Sequence, residues 1–165
     1  MDVQVRHRSL QLRTLSDPVA GVLAGAIAGA AYLVAQATFT GLARTGGMAE
    51  PLQRIAAILM GPDAAPPPAE LNFTVFGMAM IIHFALAMVF GRVVGTVACG
   101  RGFPRAVLSG AVVGLALYVL NFHLIAPLAF PWFEGSLQLV TVADHALFGG
   151  IAGAACALLS RPRGR

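Results

Sequence analysis

The sequence contains no lysine, and charge of either sign is scarce. Asp and Glu number seven, all 11 basic residues are arginine, and charged residues make up 11% of the 165, against 58% hydrophobic. A soluble domain carries about 25% charged residues. A chain this apolar cannot cover its surface in water, so a soluble fold is excluded and a lipid solvent is required. The missing motifs exclude more. There is no GxSxG, HExxH, Walker loop or dinucleotide fingerprint, so no enzyme class is indicated and no catalytic residue is assigned. The arginines are not interleaved with aromatics, so the net charge of +4 does not point to nucleic acid. Two cysteines, Cys99 and Cys156, lack CxxC or zinc spacing and read as small apolar packing residues, reduced on a cytoplasmic side.

What the chain does have is four uncharged or nearly uncharged runs, at about 19–43, 73–98, 106–126 and 137–159. Each is long enough for a spanning helix of about 20 residues. Asp17-Pro18 supplies a helix start. Between the first two runs, 48–60 places Leu52, Ile55, Ala56 and Leu59 at helical spacing with Gln53 and Arg54 off the stripe. That pattern predicts an amphipathic helix on the membrane surface. Gly61-Pro62 ends it, and Pro66-Pro67-Pro68 forms a stiff linker. Pro127 to Gly135 reads as a loop with an interfacial aromatic cluster, Phe130, Trp132 and Phe133. Ala35-Gln36-Ala37 mimics a signal-peptide cleavage site, but the run before it is longer than a signal core, so the first span is expected to be retained.

The expected architecture is an all-α single membrane domain: four helices in a compact bundle plus a short periplasmic amphipathic helix. With both termini in the cytoplasm, Arg6, Arg8, Arg13, Arg92, Arg101, Arg105, Arg161, Arg163 and Arg165 fall inside, and only Arg44 and Arg54 outside. This asymmetry predicts the orientation. Lipid gives helices no hydrophobic reason to associate, so close backbone approach must do it. Small residues recur at four-residue spacing for that purpose: Gly21, Gly25 and Gly29, then Gly91 and Gly95, Gly110 and Gly114, Gly149 and Gly153.

The polar residues of the spans gather in the outer half. Tyr32, Gln36 and Thr40 share the face of Gly25 and Gly29, and His83 lies roughly 16 Å deep at 1.5 Å per residue. Tyr118, Asn121 and His123 approach the outer end of the third span, and Thr141, Asp144 and His145 occupy the fourth. The inner half holds only Thr96 and Ser109 besides arginines. Asp144 is the costliest, at about 2.5–3.5 kcal/mol on insertion scales at a helix centre. It must face the bundle, with His145, His83, Asn121 and Gln36 as candidate partners.

Four readings are open for this zone. It is an interhelical hydrogen-bond network worth about 0.6 kcal/mol per bond; a proton or small-solute path built on His and Asp at graded depths; a haem or metal site, in which case His83 and His145 are the ligands; or part of an accessory subunit of a larger membrane complex or homo-oligomer. The expectation carried forward is a non-enzymatic membrane component with a polar His/Asn/Asp pocket facing the periplasm, and no cofactor assigned.

Four stretches carry a resemblance: PLQRIAAILMGPDAAPPPAE at 51–70, IIHFALAMVFG at 81–91, GLALYVLNFHLIAPLAFPWFEG at 114–135 and DHALFGG at 144–150. Together they resemble a family of small four-span bacterial inner-membrane proteins of uncharacterised function. The resemblance implies four spans and puts His83, Asn121 and His145 at motif positions. Members usually have a small residue before the last-helix His, where this chain has Asp144. Some bear a sodium:proline symporter label. Transporters of that kind are built from inverted repeats with broken helices, and no repeat is visible along these four spans.

Overall fold

The computed structural model describes residues 17–43, 49–65, 72–133 and 139–160. The proline run at 66–68, Arg44, Glu70, Glu134, the side chain of Thr40 and the terminal arginines lie outside the described residues. Within them the chain is helical: α1 (Asp17–Ala43), α2 (Ala49–Met60), α3 (Phe73–Ala98), α4 (Phe103–Val119), α5 (Ala126–Ala129) and α6 (Leu139–Leu159). Four segments are long and apolar enough to cross a membrane, among them Phe103–Ala129 as one span. Their outward faces carry Val34, Ile81, Leu108 and Leu158, each at least 66% exposed. Only a lipid solvent makes that surface favourable. The chain is a membrane protein built as a compact helical bundle.

Backbone approach sets the packing. α1 runs antiparallel to α3 with Gly25 against the Ala87 carbonyl and Gly91, so that a Cβ on either glycine has no room. α4 runs antiparallel to α6 with Gly110 against the Gly149 carbonyl and Gly114 against the His145 carbonyl. The two pairs join where α1 meets α6. The core at the closed end is made of small residues, including Ala20, Ala24, Ala28, Ala106 and Ala152, all fully buried. Alanine and glycine let helices approach closely enough for dispersion to accumulate without large side chains.

Three features differ from the sequence expectation. The third span does not stop at 126. Its helix passes through a π-helical turn, Leu120–Ile125, into α5, with the Ala126 N–H bonded to the Asn121 carbonyl. Pro127 lacks an N–H and its ring would crowd the carbonyl four residues back. Widening the helix at 120–125 absorbs that conflict, so the chain stays helical past the proline. A 3-10 turn, Pro131–Phe133, follows.

Second, α2 spends its apolar face on protein. Leu52 and Ala56 pack on Val75 and Ala79 of α3. Gln53, expected off the stripe, is 4% exposed. The stripe is wide enough to take it because α3 and the turn after α5 contact different sides of α2. Leu59 stays 70% exposed.

Third, Cys99 and Cys156 form a disulfide rather than serving as separate packing groups. Cys99 caps the end of α3 and Cys156 lies in α6, with Cα atoms 4.8 Å apart. Gly95 makes that approach possible, since a Cβ there would meet both sulfurs at 3.3 and 3.5 Å. The expected start of the fourth span, at about 137, lies outside the described residues, and α6 is described from Leu139. The Gly100 turn reverses the chain with φ +76°, a backbone angle glycine takes without strain.

Candidate functional site

The polar side chains meet in the half of the bundle nearer α2. Tyr32, from α1, is the shared member. Its ring lies 5.8 Å from that of His83 on α3 and 6.1 Å from that of His145 on α6, centroid to centroid. From His145 the contacts continue to Tyr118 at 5.7 Å and Phe122 at 5.6 Å. Phe122 reaches Phe133 at 6.0 Å, and Phe133 reaches Trp132 at 6.5 Å. The result is a continuous run of rings from the loop after α5 down to His83 and its neighbour Phe84, 5.3 Å apart. Edge-to-face contacts dominate, which is the favoured aromatic geometry.

Each half-buried imidazole has one nitrogen committed. His83 Nε2 is 3.0 Å from the Gly29 carbonyl, across the α1–α3 contact. His145 Nδ1 is 2.8 Å from the Thr141 carbonyl, one turn back on its own helix. A carbonyl only accepts, so each of these nitrogens donates and the other nitrogen of a neutral ring keeps its lone pair. His83 and His145 are therefore held in opposite tautomers.

Asp144 is 8% exposed, and its Oδ2 has no hydrogen-bond partner. None of the four partners expected from the sequence satisfies that oxygen.

The remaining expected residues are placed as follows. Tyr118 is buried and His123 is exposed, their rings 5.6 Å apart, so His123 forms the outer margin of the cluster. Asn121 is half-buried on the π turn, and no contact among the described residues joins it to His83 or His145. Gln36 and Thr141 are half-buried, on α1 and α6. The eight glycines expected to pack, Gly25, Gly29, Gly91, Gly95, Gly110, Gly114, Gly149 and Gly153, each have a neighbouring backbone or side-chain atom within 3.4 Å of where a Cβ would stand.

Tyr32 is the residue that the sequence-based site omits. The signal was present: it sits three residues after Gly29 and four before Gln36, on the packing face.

The cluster has little capacity for a metal. No three His, Cys, Asp or Glu side chains among the described residues are close enough to hold an ion. A haem would need an axial nitrogen from each imidazole, whereas Nε2 of His83 is engaged by Gly29 and both rings are packed on Tyr32.

Fold and cluster together define a class: a four-span membrane bundle with a half-buried His–Tyr cluster beside the buried Asp144 in one half and an alanine-glycine core in the other. No family model, curated protein or solved structure matches the chain.

Proposed function

We propose that this chain is a non-enzymatic component of the bacterial inner membrane that takes up a proton from the outer side at Asp144. The observation that carries the reading is the buried Oδ2 with no partner. An unpaired carboxylate in a low-dielectric site is strongly disfavoured, so the group holds a proton or faces a cation. Helix cohesion does not account for it. The helices meet through glycine, and of the hydrogen bonds His83 and His145 make, only that from His83 to Gly29 crosses between helices. A residue that costs stability and supplies no glue is one kept for its chemistry.

The route is graded in depth. His123 is exposed, Tyr118 adjoins it, His145 adjoins Tyr118, and Tyr32 adjoins His145, the residue that follows Asp144 in α6. Imidazole and phenol groups exchange protons readily when water bridges them. The closed end offers no continuation, because Ala20, Ala24, Ala28 and Ala152 fill it. A proton entering at the α2 end leaves by the same end. This supports a proton-responsive component, whether alone or within a larger assembly, over a conduit. The arginine distribution supports placing the α2 end outside.

The test is infrared difference spectroscopy on the protein in nanodiscs between acidic and alkaline buffer. A protonated-carboxyl stretch that disappears in Asp144→Asn is the expected result. A spectrum unaltered by that substitution would overturn the proposal.

A further inference from the structure

The contacts between α1 and α3 are repeated, residue for residue, between α4 and α6. One constant shift along the chain carries Gly21, Gly25 and Gly29 onto Ala106, Gly110 and Gly114. A second carries His83, Ala87 and Gly91 onto His145, Gly149 and Gly153. A Cβ on Gly25 would strike the Ala87 carbonyl and Gly91; one on Gly110 would strike the Gly149 carbonyl and Gly153. A Cβ on Gly29 would meet Ala87 and His83; one on Gly114 would meet Gly149 and His145. Gly91 lies against the Gly21 carbonyl, as Gly153 lies against that of Ala106. The first shift also takes Gln36 to Asn121, the carboxamides of the two helices. The second takes the end of α3 to within a residue of the end of α6.

Small-residue spacing alone is common in membrane helices. A shared pairing register, with a histidine at the same position in both pairs, is a much stronger coincidence. Two hairpins repeated in the same sense are related by an axis along the membrane normal. Tyr32 touches both equivalent imidazoles, so the cluster lies where the two copies meet.

The copies differ at the site. The second shift puts Asp144 where the first copy has Ile82, and the two are 8% and 5% exposed. Ile82 is an ordinary core residue there, while Asp144 leaves a carboxyl oxygen unpartnered in the matching place. Tyr118 and Phe122, which flank His145, stand where α1 has Leu33 and Ala37. We infer that the bundle is a tandem repeat of one glycine-packed hairpin, and that the second copy alone is specialised, Asp144 being a proton-binding group at a position the fold itself fills with an aliphatic side chain. The repeat stands on packing alone; the role of Asp144 rests on the proposed function.

Exchange of the two counterpart residues tests both halves, read by melting temperature in detergent and by the infrared carboxyl band. Asp144→Ile is expected to melt higher than wild type and to lose the band. Ile82→Asp is expected to fold and to add a second band, whereas Val94→Asp, a carboxyl at a fully buried position with no carboxylate counterpart, is expected not to fold. If Ile82→Asp is as unfolded as Val94→Asp, the repeat is overturned. If Asp144→Ile melts lower than wild type, Asp144 is structural and the specialisation is overturned. A higher-melting Asp144→Ile with no carboxyl band in wild type would sink the proton reading while leaving the repeat in place.

Discussion

Arg54 and Trp132 hold each other twice. The Arg54 guanidinium donates to the Trp132 carbonyl, and the Trp132 indole N–H donates to the Arg54 carbonyl at 3.1 Å. Glu50, one turn before Arg54, orients the guanidinium through a 2.7 Å ion pair. The exchange ties α2 to the turn after α5, and through Phe133 to the ring run that descends to His145. The outer ends of two hairpins are thereby coupled at a place where the helices themselves do not meet.

Truncating either partner should loosen that end without melting the bundle. Arg54→Ala removes the guanidinium donor and costs about 1–3 kcal/mol, since a charge-assisted bond is lost and a carbonyl is left open. Trp132 is the only tryptophan, so its fluorescence reports the change directly. A red-shifted emission with far-ultraviolet helicity intact is expected. Arg54→Lys keeps a charge for Glu50 but lacks the planar fork, so it should fall between wild type and Ala.

Two adjacent glycines should respond oppositely to alanine. A Cβ at Gly149 would strike the Gly110 carbonyl, which is backbone and cannot yield without separating α4 from α6. At Gly150 the nearest atom is 3.9 Å away, an ordinary contact. Gly149→Ala is expected to lower the melting temperature sharply. Gly150→Ala is expected to leave it unchanged or raise it, by up to about 1 kcal/mol of helix propensity. Equal effects at the two positions would contradict the α4–α6 register.

The cysteine pair sets compartment against geometry. A Cα separation of 4.8 Å suits a disulfide. The orientation proposed from the arginine count would put that end in the cytoplasm, where thiols stay reduced. The expected outcome is a dithiol in growing cells that closes on oxidation of the purified protein, read by gel shift after maleimide blocking of intact, acid-quenched cells. A pair found closed in vivo would put the arginine-rich end on the oxidising side and reverse the orientation on which outward proton access depends.

How much of this was legible in the sequence follows from what each feature depends on. The four spans follow from length and apolarity, which need no neighbours to interpret. α2 was visible in the periodicity of Leu52, Ile55 and Ala56, but the burial of Gln53 was not, because it depends on a second contact surface that periodicity does not encode. Pro127 reads as a helix end by its local chemistry; the π turn that rescues it is a backbone response. The repeat escaped notice because its two hairpins have connections of different length and share only sparse positions, chiefly glycines and one histidine. Asp144 was singled out by its cost, whereas Tyr32 was placed on the packing face but not in the pocket, because a tyrosine in a membrane helix has a bland explanation until two imidazoles are found against its ring.

That position offers the most direct separation of packing from chemistry in the cluster. Tyr32→Phe keeps the ring that His83 and His145 contact and removes only the phenol hydroxyl. Stability should change by no more than about 0.5 kcal/mol, as for a substitution that leaves packing intact. The Asp144 carboxyl band, by contrast, should move in frequency, because the proposed proton route loses its phenol. Tyr32→Ala removes the ring as well and should cost about 3–5 kcal/mol, as other aromatic truncations do. It should also separate His83 from His145, whose rings both rest on Tyr32, so that His83→Gln no longer alters the imidazole nitrogen resonances of His145. A Tyr32→Phe protein as unstable as Tyr32→Ala would mean that the hydroxyl, rather than the ring, holds the cluster together, and that the cluster is scaffold before it is chemistry.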